Sequence, residues 1–360
     1  MNKKIIFILV LAPIIIFLFF FFREKKFSPE SSFGGVLNIY NWEDYLSEDV
    51  INDFEKEYGI KVNVDFFEDS DDVLIALRED PEKYDLVIAD DDYVEYFAKL
   101  RLLEELNHEM IPNIENIDRD AIKGSFDEEI KYCIPYTSGY TGIAFNPEYV
   151  EDYDGSRDIF WDEDYKGKIT MVNNATEILL HAIYYLGYNP RNITDEQLKE
   201  AEEKALELKK MEILFGDPVQ QREWIANEDA WIGYIYSTEV VFIYEEKENV
   251  EFLAPKEGAH LWADSLCISK DSQNKEAAHL FLNYLLEKEI MAKNSEDIYA
   301  LMPGKEIKQY IDEEILEEIM ELNLPSDTDI LERSTYVNYI LLEEAEKILS
   351  NITRELKIRE

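Results

Sequence analysis

The chain of 360 residues is poor in positive charge, in cysteine and in histidine. Each shortage removes classes of function. Lysine and arginine number 36 against 79 aspartates and glutamates, a formal net charge of -43. That balance repels phosphate backbones and argues against nucleic acid as a partner. The only cysteines, Cys133 and Cys267, lie far inside the chain, which excludes lipidation of a cysteine beside a signal segment. They allow one disulfide in an exported protein; the preferred reading is two buried small residues in the strands KYCIPY and SLCIS. The four histidines, His108, His181, His260 and His279, form no H-E-x-x-H pair, so a zinc-protease site is unsupported. No G-x-S-x-G elbow or Walker-type loop occurs. Ser272 and Lys275 fit S-x-x-K, but in a polar turn opening a helix, where Ser is expected as a cap. No metal or organic cofactor is implied.

What is present describes a globular chain long enough for two domains, 46% hydrophobic with 23 Tyr, 19 Phe and 5 Trp. The N-terminus differs from the rest. Lys3 and Lys4 precede an unbroken apolar run from Ile5 to Phe22, followed by Arg23, Lys25 and Lys26. The run is about long enough to cross a bilayer as a helix. No small-residue cleavage pattern follows it, so residues 1–35 are expected to be an uncleaved membrane anchor and linker. Basic residues flank both sides and leave the orientation open.

From Val36 the hydrophobic period alternates between 2 and 3.6, the mark of alternating strands and helices. VLNIY, IKVNVDFF and YDLVIA read as strands. Between the first two, Ser47 reads as the N-cap of a helix with Val50, Ile51, Phe54 and Tyr58 on one face, stopped by Gly59. The pattern predicts an α/β fold with a mainly parallel sheet. A second α/β region begins after KYCIPYTSGYTGIAFN, read as a glycine-punctuated strand pair, and the C-terminal part is helical and acidic. In open sheets, ligands bind outside the carboxyl ends of strands. There stand Asn41, Trp42, Glu43, Asp44 and Tyr45, then Glu68 and Asp69, then Asp90, Asp91, Asp92 and Tyr93. Lys, Arg and His are missing from all three ends. Carboxylates suit ammonium groups and aromatic faces suit the aliphatic chain between them. Paired carboxylates also suit a glycosidase, but in so acidic a chain such pairs arise everywhere.

IYNWEDYLSEDVINDFEKEYGIKV, YDLVIADDDYV, CIPYTSGYTGIAFN, PKEGAHLWADSLCIS and DIYALMP occur in the order and spacing of the spermidine/putrescine-binding proteins of bacterial ABC transporters. The resemblance covers nearly everything after Val36. It implies a two-lobed periplasmic-binding-protein fold of type II that closes about a hinge. One lobe would comprise 36–138 with 264–307, the other 139–263 with 308–360. Carried over residue by residue, Trp42, Tyr45, Tyr236, Trp262 and Tyr299 would be aromatic walls. Glu177 and Asp264 would be carboxylates for amines, Asp90 and Asp92 would lie on a ligand loop, and Glu332 would make a polar contact. Asn174 stands where relatives often carry another carboxylate, and Asp92 where they often carry an aromatic ring. The resemblance thus implies an extracytoplasmic, non-enzymatic binder of spermidine or putrescine that serves the permease subunits of an ABC transporter. Alternatives are a solute-binding protein for another cation such as thiamine or an amino sugar, a carboxylate-based hydrolase, and a surface sensor.

Overall fold

The computed structural model describes residues 35–67, 70–119, 127–247, 249–323, 325, 328–336 and 339–358. The N-terminal apolar run and the anchor expected from it lie outside the described residues, as do Glu68 and Asp69. No helix among the described residues is long and apolar enough to cross a membrane.

The chain alternates as its hydrophobic pattern predicts. It begins with β1 (Val36–Asn41), α1 (Glu48–Tyr58), β2 (Lys61–Phe66), α2 (Ser70–Glu79), β3 (Leu86–Asp90) and α3 (Asp91–Leu100). Ser47 caps α1 by accepting from the Val50 amide at 3.2 Å. Gly59 ends it at φ +70°, a left-handed conformation that glycine adopts without Cβ strain. Val50 and Phe54, one turn apart, are wholly buried. β1 pairs in parallel with β2 and with β3, and the helices connect them as crossovers.

Next come β4 (Cys133–Phe145), β5 (Ile169–Val172), α4 (Ala175–Tyr185), α5 (Asp195–Glu207), β6 (Leu214–Gly216), α6 (Pro218–Ala226), β7 (Ile232–Tyr236) and α7 (Val240–Glu246). β8 (Glu251–Leu253), β9 (His260–Ile268), α8 (Lys275–Leu285), α9 (Lys288–Asp297), α10 (Glu313–Asn323), α11 (Thr328–Arg333), β10 (Thr335–Tyr336) and α12 (Tyr339–Leu356) complete it. The strand order is β2-β1-β3-β9-β4-β7-β5-β6, with β10 on β9 and β8 on β4. Two main cores form. The first is built from β1–β3 with α1, α3, α8 and α9, around Leu37, Ile39, Phe54, Ile88 and Phe281. The second packs β5 and β7 with α4 and α5, and α12 closes it through Leu341, Ala345 and Ile352.

The expected glycine-punctuated strand pair is instead one strand of 13 residues. Its first part pairs with β9, and Thr141–Phe145 pairs with β7, so β4 carries the chain from one core to the other. Its glycines make room for rings rather than turns. A Cβ on Gly139 would sit 2.4 Å from the Trp262 ring, and one on Gly142 2.4 Å from Phe252.

Cys133 and Cys267 are disulfide-bonded, which corrects the reading as two separate buried thiols. The register of β4 against β9 places them directly opposite, with Cα atoms 4.3 Å apart. That spacing belongs to a close antiparallel pair, and nothing in the local sequence around either cysteine reports it.

Candidate functional site

The carboxyl end of β3 meets β9 antiparallel, and the register sets Asp90 opposite Asp264. Burial pushes the Asp90 carboxyl above its usual range, although hydrogen bonds from Ser70 and with Asp264 and the field of His260 pull it down. The Ser70 hydroxyl donates to Asp90 Oδ2 at 2.6 Å. Two carboxylates side by side are costly to ionise together unless a cation arrives. Asp264 is buried and accepts from the Tyr45 hydroxyl at 2.6 Å. That hydroxyl also meets Thr137 Oγ1. Tyr45 is itself held in place, its carbonyl accepting from Tyr136 Oη at 2.5 Å, and Asn294 donates to Tyr136 at 2.9 Å. Burial and the neighbouring Asp264 raise the Tyr45 phenol well above its ordinary value, so it remains a donor.

Alternation along β9 places His260, Trp262 and Asp264 on one face. The Trp262 ring lies against Gly139, and Tyr236 meets it edge-on with centroids 6.0 Å apart. The Trp262 indole N–H is buried and has no hydrogen-bond partner among the described residues. Three expected aromatic walls, Tyr45, Tyr236 and Trp262, therefore come together with Asp90 and Asp264.

Asn174 caps α4, accepting from the Glu177 amide at 3.0 Å, and so serves the backbone. Glu177 is buried in the first turn of α4. Its Oε1 accepts from Thr141 Oγ1 at 2.9 Å and from His260 Nδ1 at 2.8 Å, and its Oε2 from the Tyr234 hydroxyl at 3.3 Å. The remaining expected residues make other contacts or stand at the surface. Trp42 packs on Phe67, with centroids 4.1 Å apart. Tyr299, at φ +48°, meets Phe242 edge-on at 6.3 Å. Glu332 is exposed on α11. Asp92 lies in the first turn of α3.

Three participants escaped the sequence. Thr137 and Thr141 carry no chemical signal of their own. His260 stands two residues from Trp262, and only its position on the same strand face marks it. A further contact joins the elements of the two cores. Arg222 on α6 donates to Asp44 Oδ2, beyond β1, at 3.0 Å. Its Nε lies 3.0 Å from Glu239 Oε2, an ion pair without hydrogen-bond alignment, and its guanidinium covers Phe242 at 4.4 Å. Burial pushes the Glu239 carboxyl up to about 7, against the pull of Arg222. Two surface hollows of about 770 and 630 Å³ lie apart from these groups, beside Glu105–His108 and beside Lys83 and Tyr84. They are peripheral, and neither is lined by any of the residues above.

The bacterial extracellular solute-binding protein family matches residues 49–308. A putrescine-binding periplasmic protein of Pseudomonas aeruginosa is 32% identical over 278 residues, 72% of this chain and 75% of its own length. A spermidine/putrescine-binding periplasmic protein of Haemophilus influenzae is 28% identical over 287 residues, covering 79% of each chain. Among solved structures, one described as a spermidine/putrescine ABC transporter from Listeria monocytogenes superposes with a TM-score of 0.80 at 26% identity, covering 88% of this chain and 98% of the other. The α/β periplasmic-binding-protein architecture is shared with these structures, and the chain belongs to the bacterial extracellular solute-binding protein family.

Proposed function

We propose that this chain captures a polyamine, spermidine or putrescine, outside the cytoplasm and delivers it to the permease subunits of an ABC transporter. The observation that carries the reading is the Asp90 and Asp264 pair beneath Tyr45, with Trp262 and Tyr236 alongside. An ammonium donates to both carboxylates and relieves their repulsion. Indole and phenol faces give the aliphatic chain apolar walls and attract cations. The names of the relatives agree with this chemistry. The two cores act as lobes, divided as 36–138 with 264–307 and 139–263 with 308–360, and β4 and β9 form the crossings about which they close. The apolar run from Ile5 to Phe22 anchors the chain in the membrane, and the disulfide suits an oxidising compartment. The protein binds and releases without catalysis.

The test is thermal unfolding of the chain with putrescine, spermidine, spermine and a monoamine at two salt concentrations. A ligand at about 100 times its dissociation constant adds about 2.7 kcal/mol of stability. A shift with particular polyamines that persists in high salt supports an enclosed site. Equal small shifts with every amine, abolished by salt, mean cations coating an acidic surface and refute the proposal.

A further inference from the structure

The two anionic ends of the site are not alike. At the Asp90 and Asp264 end, the hydroxyls of Ser70 and Tyr45 donate to the carboxyls. At the Glu177 end, the protein supplies a nitrogen base of its own. An ionised carboxylate has about four acceptor positions, all acceptor-only. Glu177 already receives Thr141, His260 and Tyr234. Because Glu177 only accepts, His260 must carry its hydrogen on Nδ1, whether the ring is neutral or charged. The pair is enclosed, the His260 side chain 15% and the Glu177 side chain 4% exposed.

A guanidinium stands behind. Arg157 is wholly buried, donates to the Gly258 carbonyl at 2.9 Å and contacts His181 Nδ1. Its guanidinium lies 5.1 Å from the Tyr234 ring and 5.3 Å from the Tyr184 ring. Both phenols feel Arg157 and Glu177 with opposite sign, and the Tyr234 hydroxyl donates to Glu177. The Glu177 carboxyl is therefore engaged by groups of the protein itself. Asn174, at the start of the same helix, is neutral and engaged in capping. A ligand ammonium arriving at this end meets a carboxyl on which three of about four acceptor positions are already taken.

We propose that His260 sets ligand specificity by filling the ammonium position at Glu177. The site then holds one ligand ammonium tightly, at Asp90 and Asp264, and disfavours polyamines that need a second carboxylate at the far end. This rests on the polyamine reading above. Spermidine, the longer triamine, carries its far ammonium to an end where Glu177 is already engaged and so binds more weakly than the shorter putrescine, and an N-acetylated diamine, which keeps one ammonium, loses little.

The experiment is calorimetric titration of the full chain and of His260→Gln and His260→Gln/Glu177→Gln variants with putrescine, spermidine and N-acetylputrescine at one pH. The wild type is expected to prefer putrescine over spermidine by about tenfold or more, the scale of one lost charged hydrogen bond. His260→Gln frees Glu177 and raises the spermidine-to-putrescine affinity ratio about tenfold; the double variant removes that gain. Wild-type protein that binds spermidine as tightly as putrescine overturns the inference without any variant. So does a folded His260→Gln protein whose ratio is unmoved. If no amine binds the wild type, the polyamine reading fails and this inference falls with it, an outcome distinct from tight binding with the wrong selectivity.

Discussion

Asp90 and Asp264 stand opposite each other where β3 and β9 run antiparallel, and Tyr45 donates to Asp264 at 2.6 Å. The pair is the point at which two strands distant in sequence contribute charge to one place. Replacing either with asparagine keeps the shape and removes the charge. Asp264→Asn and Asp90→Asn are each expected to weaken polyamine binding by about 1.5–3 kcal/mol, the worth of a charge-assisted hydrogen bond. Calorimetric affinities unchanged in both variants would place the ligand elsewhere.

The raised Asp90 carboxyl makes binding pH-dependent. The folded-state value lies above the unfolded one of about 3.9, so the protonated form favours folding and that contribution is lost as pH rises through the folded value. Binding of an ammonium runs the other way, because it needs the carboxylate. Affinity should therefore rise with pH through the raised value, with proton release in that window. Titrations in two buffers of different ionisation enthalpy measure the release. It should vanish in Asp90→Asn, and wild-type binding that releases no proton would contradict the assignment.

How much of this was legible depended on range. The helix from Ser47 to Gly59 was readable because cap, apolar stripe and stop all lie within a few turns. Asp90, Trp262 and Asp264 were findable because strand ends and family motifs mark them. The disulfide was not, because only the pairing of β4 with β9 sets Cys133 beside Cys267. Gly139 and Gly142 looked like turn residues; their reason is a ring from another strand, Trp262 in one case and Phe252 in the other. His260 was passed over because a lone histidine has no spacing signal, and its partner Glu177 is 83 residues away.

Gly139 offers a test of the aromatic wall. A Cβ there would lie 2.4 Å from Trp262 Cζ2 and 2.8 Å from Ser237 Oγ, so the indole must move. Gly139→Ala is expected to cost about 1–3 kcal/mol of stability by overpacking and to weaken binding as well. Affinity is compared with that of Gly142→Ala, which displaces Phe252 instead. If Gly139→Ala bound ligand like the wild type, Trp262 would be structural and not a wall.

The disulfide closes a sequence separation of 134 residues and clamps the two strands that cross between the cores. Long loops gain most from such a link in the chain-entropy picture. Cys133→Ala/Cys267→Ala should lose about 2–4 kcal/mol in urea unfolding, with the reduced wild type matching it. A midpoint the same as that of the oxidised protein would show that the link is not formed in solution.

Arg222 joins the two halves and can be dissected by pH. Its bond to Asp44 is half-exposed, with the Asp44 side chain 53% accessible, and contacts of that kind contribute about 0–1 kcal/mol. Asp44→Asn should therefore leave stability nearly intact and change ligand affinity by less than about fivefold. Removing the guanidinium is different, because Glu239 then keeps a buried carboxyl without its cation. Glu239 titrates at about 7 with Arg222 present, and losing Arg222 moves it further up. At acidic pH the carboxyl is neutral and tolerates the loss; at alkaline pH it must either ionise unpaired or hold its proton against the solvent. Arg222→Ala should thus be destabilised by about 1–3 kcal/mol at alkaline pH and by less at pH 6, a widening gap with the wild type. Urea midpoints at the two pH values measure it. A gap that is the same at both, or that narrows as pH rises, would mean that Glu239 does not depend on Arg222.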